Sequence, residues 1–386
     1  MTKKQRNKTI DEVELKQEIE LIAASIRKII SPLVIRRSRL DLINVTDYRS
    51  DLEKQKMGFA ETSDPGALEY DLGEIKALYL ATLQQISPDL DGDSDQPHYK
   101  AARYNAVQYV KKDFEEKLIE KVEAAGIDYN LFIGSQMNLS KFMRHLLVQR
   151  FESSKKAFEI SLNRMIMTTK NILSWIDKRG KVPIFKKGAL PDIENYYRYA
   201  GSSDELFNEE AADADFEEEI SKYEAKGLFE LETEYFEEAF IKDIINDISI
   251  LEMIQENWFS KDKKLPDPKR DHFAEIVKVE LKKNAERKIV IFSSYADTAD
   301  DLFEKLKSAG VRVFKYTSKE SSRKNKETIE INFDAGKKKD IQKDDYDVLV
   351  ATDAISEGYN LHRAGTIINY DKTIFDLQLR LARLLH

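Results

Sequence analysis

Through the first two-thirds of the chain, apolar residues recur at helical spacing; beyond that they gather into short β-branched runs. Leu15, Ile19, Ile22, Ile26, Ile29 and Ile30 place one apolar stripe on a helix within residues 1–30, which stops near Ser31-Pro32 because a residue before proline leaves the α region. Residues 44–66 mix Asp, Ser, Gly and Pro and read as an irregular connection. Helical spacing returns from Leu68 to Ile86, and Ser87–Pro97 reads as a loop. Helices are then predicted over 99–125 and 138–178, the second from Phe142, Leu146, Leu147, Phe151, Phe158, Leu162 and Ile166, with Gly180 and Pro183 ending it. Residues 184–203 look irregular, an acidic segment runs to 238, and a helix is expected up to Trp258.

The pattern changes at Leu265-Pro266-Asp267-Pro268-Lys269. Strands are predicted at Lys288–Phe292, Val311–Tyr316, Asp347–Ala351 and Thr366–Tyr370, separated by helices over 268–284, 296–308 and 321–334 and followed by one over 375–385. Short apolar strands between helices indicate a buried parallel sheet with right-handed crossovers. The expected fold is an α/β lobe preceded by a large, mainly α-helical region. The chain ends inside its last helix without a polar tail, and reads as a fragment of something longer.

Composition narrows the function classes. The absence of cysteine excludes a disulfide scaffold, a thiolate zinc site and a cysteine nucleophile. No run approaches the roughly 18–20 apolar residues of a membrane span, and the charged N-terminus lacks the apolar core of a signal peptide. The expected location is cytoplasmic. The formal net charge is −8, which for the chain as a whole argues against a nucleic-acid partner. The acidity is local, however. Residues 204–238 hold 15 acidic and 2 basic side chains, a net of −13, which leaves +5 for the rest. Such composition reads as a solvated, partly disordered insertion, or as a regulatory segment that mimics nucleic acid.

In an open parallel sheet, ligands sit at the carboxyl ends of the strands. Ser293-Ser294-Tyr295-Ala296-Asp297-Thr298 follows the first strand and opens a helix, so it suits either a phosphate or a simple helix cap. Thr352–Leu361 follows the third strand and is dense in polar residues. Thr352 can donate to a phosphate oxygen, Asp353 and Glu357 can accept from a ribose or orient a water, and Gly358 permits close backbone approach. Arg380 and Arg383 share a face of the final helix, either as stabilisers of transferring phosphoryl charge or as part of a solvated surface. No Gly-x4-Gly-Lys-Ser/Thr cradle, strand-end Asp-Glu pair, Gly-x-Ser-x-Gly elbow or metal spacing among the histidines occurs.

These motifs together resemble the second RecA-like lobe of a superfamily-2 helicase, of the Swi/Snf-like translocase group and its bacterial relatives. Asp267-Pro268-Lys269 resembles the start of that lobe, Lys288–Leu302 motif IV, Val348–Leu361 motif V, Ile368–Asp371 the strand after it, and Leu379–Arg383 the core of motif VI. Motif VI departs at Leu379, Ala382 and His386, and Thr317 or Ser318 stands where a glycine is usual. Upstream, Ser31–Arg39 is similar to the double-arginine segment near the end of the first lobe. Ala101–Tyr104 and Leu147–Phe158 resemble the helical region between the lobes.

The resemblance implies three parts. Residues 1–66 are the trailing edge of a first lobe and a linker, 67–266 a helical insert carrying the acidic segment, and 267–386 a RecA-like helicase C-terminal domain. It implies ATP and Mg2+ in the intact enzyme, held mainly by a missing N-terminal lobe in cis, with none bound tightly by this fragment. Glu357, Gly358 and Asp353 would face the nucleotide, with Arg383 as finger and Arg380 supporting it. Ser293, Ser294, Tyr295, Thr352, Ser356 and Asn360 would contact a nucleic-acid backbone, DNA ahead of RNA, without reading sequence. No resident metal ligand and no membrane contact are expected. Two other classes stand beside this one: a non-catalytic helical and acidic interaction module, and a stand-alone doubly wound enzyme such as a nucleotide-sugar transferase.

Overall fold

The computed structural model describes residues 12–30, 44–54, 63–88, 97–124, 128–185, 228–283, 288–355 and 359–371. The chain divides into two compact units, Met1–Gly66 and Ala67–His386. Within the first lie helices α1 (Glu12–Ile30) and α2 (Thr46–Lys54). α2 occupies part of the stretch expected to be irregular. It buries no residue and is favoured by Asp47 in its first turn and Lys54 in its last, which suit the helix dipole.

The second unit opens with a 3-10 turn at Gly73–Ile75 and α3 (Lys76–Ile86). The helix expected over 99–125 forms only from Glu115 to Ala124, as α4. Before it the chain makes three 3-10 turns, at Ala102–Tyr104, Ala106–Tyr109 and Lys112–Phe114. The cause is distant in sequence. Buried Asp247 accepts hydrogen bonds from the backbone N–H of Lys100 (2.7 Å) and Ala102 (2.8 Å), with Ala101 between them at φ 57°.

The long helix expected over 138–178 is two helices, α5 (Tyr129–Ser153) and α6 (Lys155–Arg179). Ser154 alone is extended (φ −156°, ψ 153°), and its side chain caps α6 by accepting from Ala157 N–H at 3.0 Å. The apolar stripe runs through the corner because both helices face one core. Leu147 and Phe151 of α5 meet Phe158 and Leu162 of α6 there. Gly180, at φ 64°, ends α6 in the left-handed conformation. Strands β1 (Lys181–Phe185) and β2 (Leu228–Glu232) then pair antiparallel, and α7 (Glu238–Phe259) completes the helical region.

The lobe begins with α8 (Pro268–Lys283) and β3 (Lys288–Phe292). It continues through α9 (Ala296–Ser308), β4 (Val313–Tyr316), α10 (Arg323–Phe333), β5 (Val348–Ala351) and β6 (Ala364–Asn369). All four strands are parallel, in the order β4-β5-β3-β6. Alternation sends Ile289 and Ile291 to one face of the sheet and Val290 and Phe292 to the other. α8 and α9 cover the first face with Phe273, Val277, Leu302 and Leu306, and α10 covers the second with Ile329 and Phe333. The central strands β3 and β5 are buried on both faces, as a parallel sheet requires. The architecture is therefore the expected one: a RecA-like parallel-sheet lobe behind a large helical region. Among the described residues, no helix is long and apolar enough to cross a membrane.

Candidate functional site

The parallel sheet brings four strand ends to one edge. Across it stand Thr317 after β4, Thr352 after β5, Ser293 after β3 and Tyr370-Asp371 after β6. Ladder bonds extend one step past the strands: Ser293 N–H donates to Ala351 O (3.0 Å), Thr352 N–H to Tyr316 O (3.2 Å) and Tyr370 N–H to Phe292 O (2.9 Å).

Asp371 organises the centre of this edge. One of its oxygens accepts from Ser293 Oγ (2.5 Å) and Ser294 N–H (2.7 Å). The other accepts from Ser153 Oγ (2.7 Å) at the end of α5. Ser153 Oγ also lies 2.6 Å from Thr298 Oγ1, and Ser154 Oγ lies 2.9 Å from the same atom. Lys269 Nζ donates to the carbonyls of Glu152 (2.6 Å) and Ser153 (3.0 Å), which are left free by the end of α5. Its ammonium sits 4.1 Å from the centre of the Tyr370 ring. Burial lowers the Lys269 pKa, against the opposing pull of Asp371. Burial and the carboxylates of Asp267 and Asp371 push the Tyr370 hydroxyl well above its ordinary value.

Beside this hub, Arg150 is buried, bonds to Ser161 Oγ (2.8 Å) and pairs with Asp297. Its guanidinium carbon lies 4.5 Å from the centre of the Tyr295 ring, and the Tyr295 hydroxyl donates to Gln149 Oε1 at 3.4 Å. At the other end of the edge, Thr317 is buried within a capping box with Glu320. That local cap explains how a threonine serves at this turn.

Ile355 and Leu361 are buried under the loop after β5 and pin it to the α10 face. The Tyr359 hydroxyl lies 2.9 Å from that of Tyr316. Burial and this bond raise its pKa.

Residues 269–384 match the helicase conserved C-terminal domain. No curated protein sequence matches the chain. Among solved structures, the chain is similar to the Hef helicase domain of Pyrococcus furiosus at 15% identity and a TM-score of 0.41. That alignment covers 88% of this chain and 55% of the other. It is also similar to the C-terminal part of the Fun30 ATPase domain, at 15% identity and a TM-score of 0.32, covering 83% of this chain and 79% of that one. The chain thus spans just over half the length of the first of these.

The residues singled out from sequence divide into three groups. Ser293, Ser294 and Tyr295 lie together at the strand-end edge, with Ser293 buried and the other two half-buried. Thr352 is half-buried, while Asp353 and Asn360 are exposed along the same edge. Ser356, Glu357, Gly358, Arg380 and Arg383 lie outside the described residues, as do Ser31–Arg39 and 204–227. Sequence reading did not select Ser153, Arg150 or Lys269. The signals available were that Leu147–Phe158 resembles the helical region between helicase lobes and Asp267-Pro268-Lys269 the start of the second lobe. Asp371 was noted as strand context and not as a hub.

Proposed function

We propose that the chain is the C-terminal part of an ATP-dependent nucleic-acid helicase or translocase of the Swi/Snf-like group, acting on DNA. The reading rests on one observation: small hydroxyl side chains line the carboxyl edge of a parallel sheet, in a segment that matches a helicase C-terminal domain. In this reading, 267–386 is the second lobe, 67–266 the helical insert, and 1–66 the end of a first lobe and a linker. Ser293, Ser294, Tyr295, Thr352, Ser356 and Asn360 hold the phosphodiester backbone through contacts that position without reading sequence.

When bound, ATP would supply a γ-phosphoryl group for transfer to water, with ADP leaving. Asp353, exposed after β5, suits a ribose hydroxyl, and Glu357 and Gly358 complete the proposed nucleotide set. Arg383, supported by Arg380, stabilises the charge that develops on the phosphoryl oxygens. Among the described residues no group of three or more His, Asp or Glu is arranged around a common cation position. In keeping with the family resemblance, magnesium and the phosphate cradle are assigned to a first lobe in cis.

Two measurements test it. Titration with labelled duplex DNA is expected to show sequence-indifferent binding that weakens steadily between about 50 and 200 mM salt. Absence of binding at low salt would sink the nucleic-acid half. The chain alone is expected to bind ATP weakly and not to hydrolyse it. Robust, Arg383-dependent hydrolysis by this chain would overturn the split nucleotide site.

A further inference from the structure

In the loop that the proposed function assigns to nucleic acid, two donors are already engaged by a carboxylate. Ser293 Oγ and Ser294 N–H converge on one oxygen of Asp371. The second oxygen of that carboxylate is held by Ser153 Oγ, from the corner between α5 and α6. Tyr295 is covered by Arg150 and bonded to Gln149, both on the last turns of α5. Each of the three loop residues is therefore held by Asp371 or by the helical corner.

A carboxylate and a phosphodiester are both anions that accept from N–H and O–H donors. They compete for one donor set, and the resident carboxylate repels the incoming phosphate. We infer that the α5–α6 corner is an autoinhibitory latch. Asp371 stands where a backbone phosphate would stand, Ser153 holds it there, and nucleic acid engages the Ser293–Tyr295 loop only when this hold is released. The inference rests on the nucleic-acid role proposed above for that loop.

The corner itself is stiff. Phe151 stacks on Tyr79 (4.6 Å between ring centres) and meets Phe158 (4.5 Å) and Trp258 (5.0 Å). Trp258 Nε1–H donates to Thr82 Oγ1 at 2.8 Å. Lys269 holds the last carbonyls of α5 from the lobe side. Release therefore falls to the Asp371 carboxylate and the 293–295 loop, not to the helices. The opposite arrangement, in which Asp371 presets the loop for its ligand, predicts the reverse change in affinity.

Ser153→Ala removes the hydroxyl that holds Asp371, and Asp371→Asn removes the competing charge at the same point. Both are compared with Ser153→Thr, which keeps the hydroxyl. In the full chain, hydrogen exchange at the Ser294 and Tyr295 amides is read without any ligand, and affinity is read with labelled duplex DNA. Both releasing variants are expected to exchange faster there and to bind DNA roughly three- to ten-fold more tightly, the weight of one lost competing hydrogen bond. Ser153→Thr is expected to stay near wild type. Faster exchange with unchanged or weaker DNA binding overturns the latch and leaves the nucleic-acid reading intact. Unchanged exchange in both variants also overturns it, since Ser153 then holds nothing. If wild type and variants alike bind no DNA while exchange rises, the nucleic-acid reading fails and takes the latch with it. Circular dichroism identifies a variant that fails to fold, and the other variant then decides.

Discussion

Asp247 shows how one residue controls a segment far from it in sequence. Its side chain is fully buried, and it accepts the N–H groups of Lys100 and Ala102. Burial outweighs those two bonds and raises its pKa from 3.8 to about 7. The folded chain therefore binds this proton more tightly than the unfolded chain does. The stability gained is complete below about pH 4 and is lost as pH rises through about 7. Urea unfolding across that window is expected to show wild type losing about 1 kcal/mol per pH unit relative to Asp247→Asn. Parallel slopes for the two proteins would show that the carboxyl titrates normally. Alternation and composition mark Asp247 only as a polar position on a helix. Its role depends on donors 145 and 147 positions away. Asp371 was equally hard to read: its identity was visible, and its partners were not.

Among elements, the lobe was the most legible part. Strand Lys288–Phe292 and helix Ala296–Ser308 lie where the apolar pattern puts them, because the buried stretch Ile289–Phe292 is apolar throughout and Gly310, in the left-handed region at φ 80°, follows the helix end. Boundaries moved where pairing decides them. β4 begins at Val313, and the preceding Arg312 carbonyl accepts from the N–H groups of Asp347 and Val348. β6 begins earlier, at Ala364, because it pairs with Lys288 across a register shift. The α5–α6 corner was invisible to periodicity, since one extended residue leaves the stripe in place on both sides. Ser154 ends α5, caps α6 and bonds to Thr298. Ser154→Ala is expected to cost about 1–2 kcal/mol, read as a lower urea midpoint with an unchanged slope. A change below about 0.3 kcal/mol would mean that the corner is held by its aromatic packing alone.

For the whole molecule, the net charge of −8 is a sum over unlike parts. Residues 267–386 hold 23 basic and 21 acidic side chains, a net of +2. The acidic segment is itself divided. Its last part folds into β2 and the start of α7, with Leu231 and Phe236 buried and Glu230 paired with Arg179 at 2.8 Å. Composition alone had marked all of 204–238 as a solvated insertion, because counting charges hides two apolar anchors among them. Residues 204–227 carry 10 acidic and 2 basic side chains. Charges more than about 8–10 Å from a bound phosphate are screened at physiological salt. On the solvated-insertion reading, deleting 204–227 is expected to change duplex-DNA affinity by less than about two-fold at 150 mM salt. A gain above about ten-fold that vanishes with added salt would show that this segment competes with nucleic acid.

What the amino-acid sequence determined by itself was the alternating lobe, the helical character of the region before it and the polar loops at the strand ends. These follow from periodicity and turn chemistry, which are properties of neighbouring residues. Tertiary structure alone decided which donors meet which acceptors at that edge. Ser153 and Asp371 are 218 positions apart, and Ser293 and Asp371 are 78 apart. A parallel sheet with a helical corner docked on its end brings them within hydrogen-bond distance. Hydrogen bonds depend on direction and on separations of about 3 Å, so no local pattern in the chain records them.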